Sequence, residues 1–127
     1  MALPTQTPIT EAWHTAGFLV SEANGHRSRE AVVLITGQNL QAGTVLGRIT
    51  ASGKLTAFDP GSALGPQTAM GILYSAVDAT AADRPVTIIA RDAEVNLSEL
   101  VWGVAVTTTP QKTAALVSLA TIGIIGR

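Results

Sequence analysis

The segment spanning residues 40–102 most constrains the fold, because it alternates short apolar runs with residues that interrupt regular structure. The runs are rich in Val, Ile and Thr, and Gly, Pro, Asp or Ser separates them every few residues. β-Branched residues favour strands, whereas Gly and Pro favour tight turns and disfavour helix interiors. The pattern predicts a rigid, mainly β domain of short strands joined by turns.

A hairpin is predicted near the start of this segment. Residues 44–50 and 54–58 flank the dipeptide Ser52-Gly53, in which Gly53 supplies the positive φ that a tight turn needs. Ahead of the hairpin, residues 30–36 predict a buried strand that stops at Gly37.

Two further strands are predicted beyond the hairpin. We expect residues 69–77 to form one strand, and residues 78–83 to be a polar connector. Residues 84–91 alternate apolar and polar side chains, which indicates a half-buried strand. Pro85 places the start of this strand near a sheet edge, since proline has no backbone N–H to donate.

One helix is predicted near the end of the chain. Thr109 is the expected N-cap, Pro110 fits the first helical position, and residues 111–121 contain good helix formers. Gly123 ends this helix, and residues 124–125 form a last strand. A short helical turn capped by Asn96 or Ser98 is expected around residues 99–102. The apolar positions at helical spacing are Ala115, Leu116, Leu119 and Ile122.

The composition indicates an unusual surface. Charged residues make up 13% of the 127 residues, and hydrophobic residues make up 46%, whereas about a quarter of an ordinary soluble domain is charged. One interpretation is an alanine-rich monomer with few charges. The other is a subunit whose apolar surface is covered by neighbours in an assembly, and we favour it.

Charge and cysteine content exclude several classes of function. Eight Lys and Arg residues against nine Asp and Glu give a net charge of −1, so a basic surface for nucleic acid is not expected. The absence of cysteine excludes disulfides and thiolate metal sites, and suits synthesis in a reducing cytoplasm. No run approaches the ~18 apolar residues of a membrane helix, and the first residues lack the features of a signal peptide. We therefore expect neither a membrane span nor a secretory signal.

A search for catalytic or cofactor motifs finds none that is complete. Residues 47–55 resemble a phosphate-binding loop, but five residues separate the two glycines instead of four, and Leu55 follows the lysine. His14 and His26 have no nearby carboxylate at metal-ligand spacing. Turn acids such as Asp59 and Asp78 leave a catalytic pair open as a hypothesis, although we expect no enzyme, cofactor or metal.

The first residues and the two tryptophans are candidate contact sites. Residues 1–11 contain Pro4 and Pro8 among Thr and Gln, which predicts a flexible, extended arm. This arm is either a frayed terminus or a segment that pairs with the sheet edge of a partner. For Trp13 an interface is expected, whereas Trp102 is either a core or an interface anchor.

Several short motifs, in order, resemble a known family. They are G-F-L-V-S-E-A-N-G-x-x-S-R-E, L-x-A-G-T-V-L-G, G-K-L-T-A-F-D-P, M-G-I-L, V-W and I-G-I-I-G-R, and they extend over residues 17–127. This set resembles the lambda-type bacteriophage head decoration proteins. The resemblance implies a β-clip-like small barrel with one short C-terminal helix and a flexible N-terminal arm.

The same resemblance implies a role and partners. A homotrimer would bind the major capsid protein on the outside of the expanded head, at three-fold and local three-fold sites, and stabilise it against packaged DNA. Residues 1–15 would be the capsid-binding arm and residues 16–127 the decoration domain of a protein made in the bacterial cytoplasm and carried on the virion. Trp102 would anchor the trimer, and the arm contacts would be Leu3, Pro4, Thr5, Thr7, Pro8, Ile9, Thr10 and Trp13.

Two other classes of function stay open at this point. One is a small β-module that binds a ligand or peptide as an adaptor, which would be compatible with a monomer. The other is an enzyme that uses turn carboxylates such as Asp59 and Asp78, which would require several acids to converge in one pocket.

Overall fold

The computed structural model describes residues 14–127, which form short strands, one 3₁₀ turn and one α-helix. The 3₁₀ turn is Leu97–Glu99 and the helix, α1, is Thr109–Thr121. The strands are β1 (Leu19–Glu22), β2 (Arg29–Leu34), β3 (Gln38–Leu40), β4 (Val45–Arg48), β5 (Leu55–Ala57), β6 (Ala69–Leu73), β7 (Val77–Ala79), β8 (Arg84–Ile89), β9 (Ala93–Val95) and β10 (Ile124–Gly126).

Five of these strands close into a small barrel in the order β2-β5-β4-β6-β8. The longest pairing is antiparallel, between β2 and β8, and runs from Arg29↔Ile89 to Leu34↔Arg84. A parallel contact between β2 and β5 at Leu34↔Leu55 completes the ring. Two small sheets, β1-β9-β10 and β3-β7, flank the barrel. Closure leaves the barrel with few unpaired edges, which are the usual sites of aggregation.

Three of the barrel strands, β4, β6 and β8, have residues buried on both faces. Side chains from all five strands fill the barrel interior, as Leu34, Leu46, Leu55, Leu73 and Ile88 do, and each is fully buried. In β4, β6 and β8 the neighbouring residues point the opposite way into a second core, which β1, β9, β10 and α1 cover. The fully buried aliphatic residues of that second core include Val45, Ile72, Ile89 and Val95.

The mainly β barrel and the C-terminal helix are confirmed, whereas the β-clip assignment stays a prediction. The hairpin is confirmed, since β4 and β5 pair from Leu46↔Ala57 to Arg48↔Leu55 and Gly53 has φ 73°. The last strand is confirmed too, and it pairs in parallel with β9.

Helix α1 starts one residue before the prediction. Its N-cap is Thr108 instead of Thr109, because the Thr108 hydroxyl accepts from the Gln111 backbone and the Gln111 side chain accepts from the Thr108 N–H. This reciprocal capping box satisfies two backbone donors at once. Ala115 and Leu119 are buried, as the helical spacing predicted. Asn96 does cap the 3₁₀ turn, which ends at Glu99 rather than continuing to Trp102.

Two strand predictions are wrong in part. The strand predicted to be buried, residues 30–36, ends at Leu34, and Val33 within it is 40% exposed because only one of its faces meets a core. The strand predicted for residues 69–77 is two strands. At Tyr74 the chain bends, since the Tyr74 N–H donates to Thr87 and its carbonyl accepts from Ala16.

The predicted polar connector is also corrected. Residues 77–79 form β7, which pairs with β3 from Gln38↔Ala79 to Leu40↔Val77, and Ala79 is fully buried. Pro85 lies near a sheet edge, as predicted. Strand β8 pairs with β6 only at Ile88 and Ile89, so at Pro85 it pairs with β2 alone.

Replacing Gly65 with alanine should destabilise the fold strongly. Gly65 has φ 119°, and a Cβ there would overlap the backbone oxygen of Arg48 and crowd Thr50. We expect Gly65→Ala to lower the free energy of unfolding by about 3 kcal/mol. Gly53→Ala is the matched control, because Gly53 also has a positive φ but open space around it, and it should cost about 1 kcal/mol. Urea denaturation followed by circular dichroism measures both, and equal losses would contradict the steric argument.

Candidate functional site

Asp59 and Asp78, the turn carboxylates considered as a catalytic pair, accept hydrogen bonds within their own turns. Asp59 Oδ1 accepts from the Gly61 backbone at 3.0 Å. Asp78 Oδ1 accepts from the Thr80 hydroxyl at 2.6 Å and from its backbone at 3.0 Å. These bonds lower the pKa of Asp78, whereas a general acid needs a raised one. Both side chains therefore serve turn formation.

Neither a cluster of metal-ligand side chains nor a phosphate loop at residues 47–55 is found in the described part of the chain. Across residues 14–127, no three His, Asp or Glu side chains converge on a point that could hold a metal ion. The segment that resembles a phosphate loop is the β4–β5 hairpin, in which Arg48 pairs with Leu55. A strand at this position does not present the consecutive backbone N–H groups that bind phosphate. Among the helices of residues 14–127, none has both the length and the apolar character needed to cross a membrane.

Trp102 is half-buried and lies between the core and the surface. Its ring meets Phe58 edge to face, with centroids 6.4 Å apart and planes inclined by 71°. The Lys112 ammonium lies 5.9 Å from the ring centroid. The same side chain lines a groove of about 420 Å³ beside β3, together with Gly103 and the fully exposed Val104. Trp102 thus combines a core contact with a surface on which another molecule could pack.

The predicted arm contacts lie outside the described residues. These are Leu3, Pro4, Thr5, Thr7, Pro8, Ile9, Thr10 and Trp13. The described chain starts with a turn, in which the Gly17 N–H donates to the His14 carbonyl at 2.9 Å. Ala16, with φ 55°, donates its N–H to the Tyr74 carbonyl at 2.8 Å. This bond fixes the start of the described chain to the bend that follows β6.

Arg29 secures this starting point to the barrel. Its guanidinium donates to both carboxylate oxygens of Glu22, at 2.7 and 3.2 Å, and lies 4.6 Å from the centre of the Tyr74 ring. The hydrogen bond from Arg29 lowers the pKa of Glu22. A bidentate pair of this kind is more directional than a single ion pair. Arg29 therefore joins β1, β2 and Tyr74.

A larger groove of about 860 Å³ lies between the end of α1 and the barrel. At its edge, Arg91 Nη2 donates to Glu30 Oε2 at 2.8 Å, and Arg48 Nη2 lies 3.9 Å from the other oxygen of Glu30. The sequence did not single out this cluster, because Glu30, Arg48 and Arg91 come from three distant parts of the chain. The other residues that line the groove are Thr68, Ala69, Met70, Ala90, Asp92, Ser118, Ala120, Thr121, Ile122 and Gly123.

Comparison with known proteins agrees with the sequence motifs. The sequence profile of the family described as bacteriophage lambda head decoration protein D matches residues 8–124. The match covers the barrel, the β3-β7 sheet, β1, β9 and α1, and it ends at the first residue of β10. No match is found among curated proteins.

Asp83→Asn should make the fold less sensitive to acid. Hydrogen bonds from Lys54 Nζ, at 2.6 Å, and from the Thr36 backbone, at 2.8 Å, lower the pKa of Asp83. A carboxylate with a lowered folded-state pKa stabilises the fold above its unfolded pKa and loses that contribution as the pH falls through the folded value. Wild-type stability should therefore decline below about pH 4 more steeply than that of the variant.

Thermal unfolding at neutral and acidic pH measures this difference. Asp59→Asn is the control, because Asp59 accepts a turn hydrogen bond and forms no ion pair among the described residues. The melting temperatures of Asp83→Asn at neutral and acidic pH should differ by less than those of wild type or of the control. If Asp83→Asn shows the same difference in melting temperature as wild type, the Lys54–Asp83 pair does not contribute to acid sensitivity.

Proposed function

The chain belongs to the bacteriophage lambda head decoration protein D family, and we propose that it acts as a trimeric cement on the phage head. In this role it binds the outer surface of the expanded head at three-fold and local three-fold sites. It stabilises the shell against the pressure of packaged DNA. The protein is made in the cytoplasm of the bacterial host and is then carried on the virion. The family match over residues 8–124 is the observation that carries this proposal.

The construction of the barrel supports a mechanical role. Strands that are buried on both faces cannot slide or bend without disrupting two cores. The turn acids Asp59 and Asp78 accept hydrogen bonds from the backbone within their own turns. A stiff body of this kind transmits a load between its contacts with little deformation. Such a body suits a role in which the subunit stabilises a shell and performs no chemistry.

Residues 1–15 are proposed as the arm that contacts the major capsid protein. An extended segment adds to a sheet edge through backbone hydrogen bonds, a mode that tolerates Pro4 and Pro8 at positions that need no donor. Directly after this segment, the Ala16 N–H donates to the Tyr74 carbonyl, and the Arg29 guanidinium lies against the Tyr74 ring. Three arms on one trimer act at a high effective concentration, so a modest contact per arm gives stable attachment.

Trp102 is proposed as an anchor of the trimer interface. Its edge-to-face contact with Phe58 fixes the ring, while its exposed side lines a groove next to Val104, whose side chain is fully exposed. Large, rigid side chains that keep one face available are the usual energetic centres of protein interfaces. The low fraction of charged residues, 13% of the chain, agrees with an apolar contact between subunits.

Binding to heads tests the proposed role. Purified protein should co-sediment with undecorated expanded heads of its own phage, and electron microscopy should show added density at the three-fold positions. Immature procapsids serve as the comparison. Failure to bind either particle would overturn the proposal, and a monomer in light scattering at micromolar concentration would favour the adaptor function instead.

Deleting residues 1–11 should separate attachment from folding. The described fold starts at residue 14 and its contacts are retained, so the truncated protein should stay soluble with an unchanged circular dichroism spectrum. Its binding to expanded heads should be lost, because three arm contacts disappear together. The control is a full-length variant with Pro4 and Pro8 replaced by Ala. It should still bind, because backbone pairing with a sheet edge does not depend on the identity of these side chains. Full binding by the truncated protein would show that the arm is not the attachment site.

Trp102→Ala should weaken the trimer. Truncation of an interface anchor commonly costs more than about 2 kcal/mol of association free energy, so the subunits should dissociate at higher protein concentration than wild type. Analytical ultracentrifugation measures this shift. Trp102→Phe is the control, because a phenyl ring retains the contact with Phe58. A melting curve of each variant distinguishes weaker association from unfolding, and an unchanged trimer in a folded Trp102→Ala protein would exclude the anchor role.

A further inference from the structure

The turn between β1 and β2 carries the dipeptide Asn24-Gly25, and both of its residues are exposed. The base of this turn is held firmly. The Ala23 N–H donates to the Ser28 hydroxyl at 2.9 Å and to the Asp92 carbonyl at 3.2 Å, and Ser28 is fully buried. The turn therefore has a fixed base and a tip that is surrounded by solvent.

The side-chain amide of Asn24 and the backbone nitrogen of Gly25 are not engaged in the fold. Among residues 14–127, neither the Asn24 side chain nor the Gly25 N–H has a hydrogen-bond partner. Gly25 has φ 68°, and a Cβ built on it would have no atom within 4 Å. Because glycine carries no Cβ, its nitrogen can closely approach the side chain of the residue before it. The Gly25 nitrogen can therefore reach the amide carbon of Asn24.

The other two asparagines of the chain are held in place. Asn39 lies in β3, which pairs with β7, and the bulkier Leu40 follows it. Asn96 caps the 3₁₀ turn, where its Oδ1 accepts from the Ser98 backbone at 3.1 Å and from the Ser98 hydroxyl at 2.7 Å. The N–H of the next residue, Leu97, donates to a backbone carbonyl at 3.2 Å. Both asparagines therefore serve as internal references for the reactivity of the exposed one.

We propose that Asn24 is a site of covalent modification, at which the fold permits spontaneous deamidation through a cyclic imide. The Gly25 nitrogen attacks Cγ of Asn24, so a C–N bond forms and the nitrogen gives up its proton to solvent. The Cγ–Nδ2 bond breaks, and the amide nitrogen leaves as ammonia. Water then opens the imide at either carbonyl, which gives aspartate or isoaspartate. The net change replaces NH₂ with OH, consumes one water and involves no oxidant or reductant.

The modification changes the charge of the subunit without removing a contact of the core. One new carboxylate takes the formal net charge from −1 to −2, in a turn that also carries the exposed His26 and Arg27. Isoaspartate additionally lengthens the main chain by one carbon. The hydrogen bonds of Ser28 at the base confine this change to the tip of the turn. The site does not depend on the proposed function, but on a virion, which cannot replace its subunits, the product would accumulate with age.

Peptide mapping of the purified full-length protein tests the site. The protein is kept at neutral pH and physiological temperature for days, and samples are digested with trypsin. The digest separates the three asparagines, because cleavage after Lys and Arg places them in residues 1–27, 30–48 and 92–112. Liquid chromatography with mass spectrometry should show conversion in residues 1–27 that is faster by about tenfold or more than in the other two peptides. Aspartate and isoaspartate should both form, because the imide opens at either carbonyl.

Two variants identify the reacting groups. Asn24→Gln should abolish conversion at this position, because its longer side chain would have to close a larger ring. Gly25→Ala should slow it by about tenfold or more, since the added Cβ hinders the attacking nitrogen. Gly53→Ala is the matched control, because Gly53 also has a positive φ and open space, and it should leave the rate at Asn24 unchanged. Circular dichroism confirms that each variant is folded. Equal rates at the three asparagines of wild type, aspartate as the sole product, or an undiminished rate in Gly25→Ala would overturn the proposal.

Discussion

Burial of the barrel strands β4, β6 and β8 on both faces is the constraint on which the rest of the structure depends. Val45 and Leu46, Ile72 and Leu73, and Ile88 and Ile89 are adjacent pairs in which both side chains are fully buried. One member of each pair fills the barrel and the other requires a cover. Helix α1 and the β1-β9-β10 sheet supply that cover. Without them the outer members would be exposed, at a cost of about 2 kcal/mol for each side chain.

Polar links hold this cover in place at a few points. The buried hydroxyl of Ser28 accepts from the Ala23 N–H and donates to the Asp92 carbonyl, so it joins the end of β1 to the residue before β9. Arg127 donates to Glu94, which ties the last residue to β9 and lowers the pKa of that carboxylate. Within residues 14–127, no buried side-chain nitrogen or oxygen lacks a hydrogen-bond partner. Because these buried polar atoms are all paired, a rearrangement would gain no hydrogen bonds, which agrees with a structural role in the head decoration family.

The surfaces that remain available divide into three kinds. The arm proposed for residues 1–15 would offer backbone for strand pairing, the surroundings of Trp102 expose Val104, and the groove near Arg48 has charged and hydroxyl groups at its margin. A subunit that joins both its own copies and a shell needs chemically different contacts, because a single type of surface would not distinguish the two partners. The separation of these surfaces on one small barrel is the central feature of the proposed attachment.

The sequence by itself determined the β class, the hairpin turn at Gly53, the C-terminal helix and the family. The first three features depend on the backbone preferences and spacing of residues that are neighbours in the chain. The family follows from the order of several short motifs along the chain. Only the tertiary structure decided the two-sided burial, since an apolar pair such as Ile88-Ile89 looks the same whether one face or both meet a core. It also decided the bend at Tyr74 and the β3–β7 pairing, which arise from hydrogen bonds to distant residues. The cluster of Glu30, Arg48 and Arg91 has the same origin, because closure of the barrel brings together charges that are isolated along the chain.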